Sequence, residues 1–337
     1  MVKSRHWWIM LALIGAIAVS ILASLSLGAA SLSSSQLFGA LLNSQDPEYG
    51  FASQIVWQLR MPRTLLALLA GGGLALTGLL LQTVTRNPLA DPYLFGISSG
   101  ASFGVVLLLA LSTGVVSNTS MSAAAFSGSM LVMVLLLVIT QRVRQQQVES
   151  MLLAGVALSF LFSALTSLLL YWTDPQAVSA ILFWMMGSFT RAGWQDLGLP
   201  ALMLLTSMGL MLLYRRQLTA LLLGDESAAT LGINVRRFRL IMLILSSMLT
   251  GVLVSLCGGI GFVGLMVPHI VRFFVPPGSH LSLLSTALFG GLFMLWVDIL
   301  ARLALPNQEL PVGIVTAALG SVFFLCLLHL KKRQEGI

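Results

Sequence analysis

Residues 60–92 read RMPRTLLALLAGGGLALTGLLLQTVTRNPLADP. Between Arg63 and Arg86 lie 22 residues without a charge, dominated by Leu, Ala, Gly and Thr. An uncharged apolar run of that length crosses a bilayer as a helix, because about 20 residues match the hydrocarbon thickness. Pro62, just inside the run, predicts a helix start, where its missing N–H costs nothing. Arg60 and Arg63 mark one water boundary, and Arg86 with the rigid turn Asn87-Pro88-Leu89-Ala90-Asp91-Pro92 marks the other.

The same grammar repeats along the chain. Of 337 residues, 57% are hydrophobic and 9% are charged, and the mean hydropathy is +0.96. A soluble domain is roughly a quarter charged, so this chain lacks the polar surface that water requires. Apolar runs fall near 7–30, 62–83, 94–114, 121–140, 151–172, 197–214, 238–257, 260–275, 281–302 and 312–330. They predict an all-α polytopic membrane protein with about ten transmembrane helices, forming one domain over residues 1–337. The first run exceeds the 7–15 residues of a signal-peptide core and is expected to be retained as a span. Between Asp174 and Trp194 a shorter apolar stretch predicts a partial helix that enters the membrane edge without crossing. Gly96, Gly100 and Gly104 recur every four residues and predict one face of close helix packing.

Charge orients the bundle. With the N-terminus inside and ten crossings, the cytoplasmic side holds Lys3, Arg5, Arg86, Arg142, Arg144, Arg215, Arg216, Arg236, Arg237, Arg239, Arg272, Lys331, Lys332 and Arg333. The outer side holds only Arg60, Arg63, Arg191 and Arg302, which completes the 18 basic residues. Such a bias is the positive-inside rule, and it places both termini in the cytoplasm. The net charge of +7 therefore reads as topology and predicts no nucleic-acid partner. The lipid bilayer is the expected surrounding.

Catalytic patterns are missing from the sequence: it has no GxxxxGK[ST], HExxH or CxxC. Cys257 and Cys326 lie in apolar runs, predicting small buried hydrophobes. Asp298 sits well inside a run, four residues before Arg302, a spacing that allows an ion pair along one helix face. The want of intramembrane protonatable groups argues against an ion-coupled secondary transporter, and the want of a catalytic cluster argues against an enzyme. No metal site and no cofactor on this chain are expected.

Two polar features remain. Arg60, Arg63 and Arg302 stand on the side otherwise poor in positive charge, and read as guanidiniums facing outward toward carboxylates of a partner. The longest cytoplasmic loop, about 218–239, holds Gly224-Asp225-Glu226-Ser227-Ala228-Ala229-Thr230-Leu231-Gly232. Its acidic first turn and glycine stop predict a short helix, which suits either a docking element or a capped connector.

In these residues the chain resembles the FecCD family, the permeases of binding-protein-dependent importers for iron-siderophore, haem and cobalamin. The likeness runs through Arg60-Met61-Pro62-Arg63, Asn87 to Pro92, Gly96 to Ala101, Leu153 to Ala157, Trp184 to Ser188, Gly261 to Leu265, Pro268-His269-Ile270-Val271-Arg272, Asp298 with Arg302, and Glu309 to Gly313. The cobalamin type looks especially near. The resemblance implies a homodimer with the path between subunits. It implies two ATPase subunits, which carry the ATP and Mg²⁺, docking on Gly224, Asp225, Glu226, Ser227, Ala228, Leu231 and Gly232. It also implies a periplasmic binding protein docking at Arg60, Arg63 and Arg302, a cytoplasmic gate at Val148, Glu149 and Ser150, and an outer mouth lined near Ala180 to Gly187. The location implied is the bacterial inner membrane, and a molybdate-type oxyanion is an alternative cargo. The family's Gly-Ala-Pro is replaced by Gly320-Ser321-Val322, losing a kink-forming proline in the last span.

Overall fold

The computed structural model describes residues 2–28, 32–43, 46–112, 116–141, 148–306 and 308–335. Arg142 and Arg144 lie outside these residues, as do the side chains of Lys3, Arg5, Val148, Glu149 and Lys331 to Arg333. The described chain is helical, with one isolated bridge, Leu305 to Gln308, as its only extended pairing. Helix α1 spans Val2–Ser26, and α2 spans Ser34–Leu42 under a capping box from Ser33 and Gln36. A 3₁₀ turn at Pro47–Tyr49 leads into α3, Gly50–Gln54, then a π-helical segment, Ile55–Arg60, and α4, Met61–Thr85.

Pro62 therefore lies within a longer helical run and does not begin it. The reason is the π segment: the Met61 N–H reaches back to the Val56 carbonyl, widening the turn that a proline without a donor must follow.

Helix α5 spans Ile97–Leu111, α6 Asn118–Gln141, α7 Val148–Trp172 and α8 Pro175–Met185. Then come α9, Gly198–Leu213, and two short helices, α10, Arg215–Leu222, and α11, Asp225–Thr230. The last four are α12, Val235–Cys257, α13, Val263–Arg272, α14, His280–Leu303, and α15, Val312–Glu335. Among the described residues seven helical stretches are long and apolar enough to cross a membrane, and Ile97–Leu111, Val263–Arg272 and Val312–Leu327, in α5, α13 and α15, are three shorter apolar ones. These ten follow the ten expected runs in order. Helix α13 departs most: ten residues at about 1.5 Å each reach only half of a ~30 Å core. The gap between the runs 238–257 and 260–275 is longer than expected, and the non-helical residues 258–262 are the rest of that passage. Gly258 (φ +71°) and Phe262 (φ +68°) break the helix there.

At the centre stands α4, buried along most of its length from Ala70 to Thr85 and packed on α14, α12, α13 and α9. Two glycine pairs permit that approach. A Cβ on Gly71 would collide with the Gly290 carbonyl of α14, and one on Gly78 with the Gly264 backbone of α13. With no hydrophobic force between helices in lipid, close backbone contact replaces it. A second group, α5, α6 and α7, packs beside α12. Gly100 and Gly104 meet Gly128 and Ala124 of α6, as their spacing predicted. Gly96 does not join them; it precedes α5 in the left-handed region (φ +80°), where a glycine is favoured.

Helix α8 is the partial helix expected between Asp174 and Trp194. Its end is capped from elsewhere: the N–H groups of Val312 and Gly313 donate to the Gly187 and Met186 carbonyls at 2.9 and 3.0 Å, and Ser188 N–H donates to Cys257 O at 2.8 Å. Helix α15 runs unbroken past Ser321.

Candidate functional site

Polar side chains gather at opposite ends of the bundle. At the first, Arg63 is held by two acids. Its Nε donates to Asp298 Oδ1 at 2.9 Å, its Nη2 lies 2.8 Å from the same oxygen, and its Nη1 donates to Glu309 Oε2 at 2.8 Å. Asp298, fully buried, also meets Arg302 Nε at 3.2 Å. The ion pair expected along α14 is thus present, but Arg63 shares the acid. Glu309 is the exposed end of the chain of charges, with 39% of its side chain open against 12% for Arg63.

Arg60 and Arg302 point inward, contrary to the expectation of outward-facing guanidiniums, and the cause is the end of α1. The last carbonyls of a helix have no partner within it, and in a membrane protein each must find one. Arg60 Nη1 donates to the Leu25 and Ser26 carbonyls at 2.6 and 2.9 Å. Arg302 Nη1 donates to Ser24 O and Leu27 O at 3.0 and 2.9 Å, and its Nη2 to Ser24 Oγ at 2.8 Å. Ser24 Oγ in turn bonds Thr64 Oγ1 at 2.8 Å. Three arginines, two carboxylates and a helix end form one network. Sequence reading found its charges, but α1's share was hidden because a backbone carbonyl leaves no mark in composition.

At the opposite end, α11 is the predicted short helix. Gly224 (φ +118°) precedes it and Gly232 (φ +79°) ends it, with Gly232 N–H donating to Ala229 O at 2.9 Å. Ala228 is buried, while Glu226, Ser227 and Leu231 face solvent. Asp225 turns back to the bundle. Arg239 Nη2 donates to Asp225 Oδ1 at 2.9 Å, Arg86 Nη2 lies 3.2 Å from the same oxygen, and Arg239 Nε donates to Val84 O at 3.2 Å. Arg239 therefore fastens α11 to the end of α4 from within α12, a role that sequence reading missed. Helix α10 was missed too. The loop set at 218–239 is instead α10, α11 and the first two turns of α12, so Arg236, Arg237 and Arg239 lie in a helix.

In the connection after α4, beside Gly261 and Phe262, Asp91 is buried and Tyr93 half-buried. Asp91 Oδ1 accepts from Tyr93 N–H at 2.9 Å. Burial pushes the Asp91 carboxyl up to about 6, against that hydrogen bond, and raises the Tyr93 hydroxyl. Ser150 begins the described part of the expected gate on α7, half-buried. His269 packs edge-on to the Phe273 and Phe323 rings.

The sequence and the overall fold both have counterparts among known proteins. The model of the FecCD transport family matches residues 16–330. The chain belongs to the FecCD transport family. It is 38% identical over 281 residues to the vitamin B12 import system permease BtuC of Klebsiella pneumoniae, covering 83% of this chain and 84% of that one. It is 37% identical over 319 residues to the hemin transport system permease HmuU of Yersinia pestis, covering 94% and 93%. Its fold matches a solved inward-facing ABC transporter assigned to the metal-chelate type, with TM-score 0.83 and 32% identity over 95% of this chain and 98% of that one. This FecCD chain is accordingly the multi-pass permease component of an ABC importer of the metal-chelate type, a transport subunit and not an enzyme.

Proposed function

We propose that two copies of this permease, in a bacterial inner membrane, pass a cobalamin, haem or ferri-siderophore chelate between them by ATP-driven alternating access. The chelate class rests on relatives named for vitamin B12 and hemin import. Two ATPase subunits engage the exposed face of α11, through Glu226, Ser227 and Leu231, and Asp225 with Arg239 transmits their movement to α4 and α12. A substrate-binding protein docks at the opposite end. The residues Val148, Glu149 and Ser150 at the start of α7 act as the inner gate. The permease does its work by offering different contacts to its partners in two conformations, which shifts their populations.

The observation that carries the docking reading is the half-exposed Arg63–Glu309 pair. Arg63 is anchored from below by Asp298, and its second edge is covered only by an accessible side chain. A partner's carboxylate can replace Glu309 there without stranding a buried charge. Arg63→Glu is expected to weaken binding-protein affinity at least tenfold, or about 1.4 kcal/mol, whereas Glu309→Gln removes the competitor and strengthens it. Unchanged affinity in both variants rules the site out. Function is tested by reconstituting permease, ATPase and binding protein in vesicles and measuring uptake of cyanocobalamin, haem and ferri-siderophore. Uptake of one of them is expected only with ATP and all components; uptake of none, or uptake without the ATPase, overturns the reading.

A further inference from the structure

A cavity of about 390 Å³ opens beside the α10–α11 loop, among the ends of α4, α9, α10 and α13 and the start of α14. Three guanidiniums line it: Arg86, Arg215 and Arg272. No carboxylate does, among the described residues. Their partners leave the charge uncompensated. Arg272 Nη2 donates to the neutral amide oxygen of Gln82 at 2.7 Å. Arg215 Nη1 faces the His280 ring nitrogen Nδ1 at 3.3 Å, a partner that brings no negative charge. Arg86 shares Asp225 with Arg239, so one acid serves two arginines. The start of α14, capped by Ser279, adds the positive end of a 24-residue helix at the rim.

The opposite walls are apolar, formed by Leu79, Met211, Leu218 and Leu283. Leu222 on the same wall is 40% exposed, and Phe273 and Phe274, directly after Arg272, are 65% and 53% exposed. A free phosphate has no use for such walls, and the volume holds about a dozen water-sized groups. Basic pockets between helices at a membrane face suit anionic headgroups, each arginine adding attraction. We propose that this cavity binds one anionic phospholipid per chain, with its phosphodiester on Arg215 and Arg272 and its acyl chains along the leucine wall. Lipid held there would wedge α10 against α14, next to the α11 docking face, and so bears on the stability of that face independently of cargo.

The test uses the full-length chain in neutral detergent, with native mass spectrometry and thermal unfolding as readouts. Phosphatidylglycerol is expected to be retained on the order of tenfold more than phosphatidylcholine and to raise the melting temperature. Arg215→Gln, an exposed position that leaves the core intact, and Arg272→Gln should each reduce retention several-fold, while melting without lipid stays close to wild type for Arg215→Gln. Equal retention of the two lipids, or undiminished retention in both variants, overturns the proposal. So does equal protection by inorganic phosphate alone, which would make the site one for a free anion. Stripping of bound phosphatidylglycerol by added ATPase would assign the arginines to a protein interface and equally sink the idea.

Discussion

Asp298 carries two arginines on one buried carboxylate, and its removal shows what a shared charge is worth. In Asp298→Asn, Arg63 retains only the accessible Glu309, and Arg302 retains only α1's carbonyls and Ser24. Breaking a buried pair from one side costs about 3–5 kcal/mol, because a charge is left without its partner. A clear drop in melting temperature is expected, and the Arg302→Met change combined with it should cost less than the two singly added, the mark of a coupled pair. Asp91 predicts the opposite sign. Its carboxyl is raised by burial to about 6, so between the ordinary carboxylate range and 6 the folded state holds a proton that the unfolded state releases. Stability is then present at low pH and lost as pH rises through that window. Asp91→Asn keeps an oxygen for Tyr93 N–H and removes the buried charge. It should stabilise the protein by up to about 2–3 kcal/mol at pH 7, with the gain vanishing near pH 4. A pH-independent difference between the two melting curves would refute this.

Among the elements, α4 sets the tolerances. Gly78→Ala places a methyl where the Gly264 backbone already lies, and because the obstacle is main chain, not a flexible side-chain tip, α13 must move. Overpacking of this kind costs about 1–3 kcal/mol, and loss of Gln82 Nε2 donating to Gly264 O at 3.0 Å adds to it. Gly15→Ala, within α1 at a position with nothing nearby, is the control and should not lower melting, since alanine is the better helix former; an equal loss in the two would deny the close contact. This scale also explains what the sequence revealed. Long apolar runs announced seven helices without ambiguity, since length and hydropathy are local quantities. The apolar runs 238–257 and 260–275 part at Gly258 and Gly259, but the extent of the break to Phe262 was not legible, because its cause is a tertiary fit against Trp184 and Gly187. Pro62 misled for a related reason: the π segment that accommodates it has no composition of its own. At the site, the acidic start and glycine stop of α11 were readable. The inward turn of Arg60 and Arg302 was not, since a charge near a membrane boundary can serve lipid, partner or backbone alike.

Over the whole molecule, seven of the described arginines gather at two ends. At the α10–α11 end Arg86 and Arg239 share Asp225, Arg215 meets His280, and Arg272 meets Gln82. Arg60, Arg63 and Arg302 meet at the other. Helix counting alone leaves orientation open, because α5 and α13 are shorter than a full span. We propose the orientation from charge: the α10–α11 end has the larger share, and positively charged loops stay in the cytoplasm. That orientation would put Arg63, Asp298 and Glu309 outside, where the proposed binding protein would reach them. The assignment is testable with single cysteines in a Cys326→Ser background, which keeps only the buried Cys257. Ser35→Cys on α2 and Ser227→Cys on α11 are both exposed. A membrane-impermeant maleimide applied to intact spheroplasts should label the first and reach the second only after lysis. The reverse order would invert the protein and exchange its two docking ends. Labelling of both from outside would break the odd count of crossings between α2 and α11 (α4, α5, α6, α7 and α9), and with it the ten-span reading.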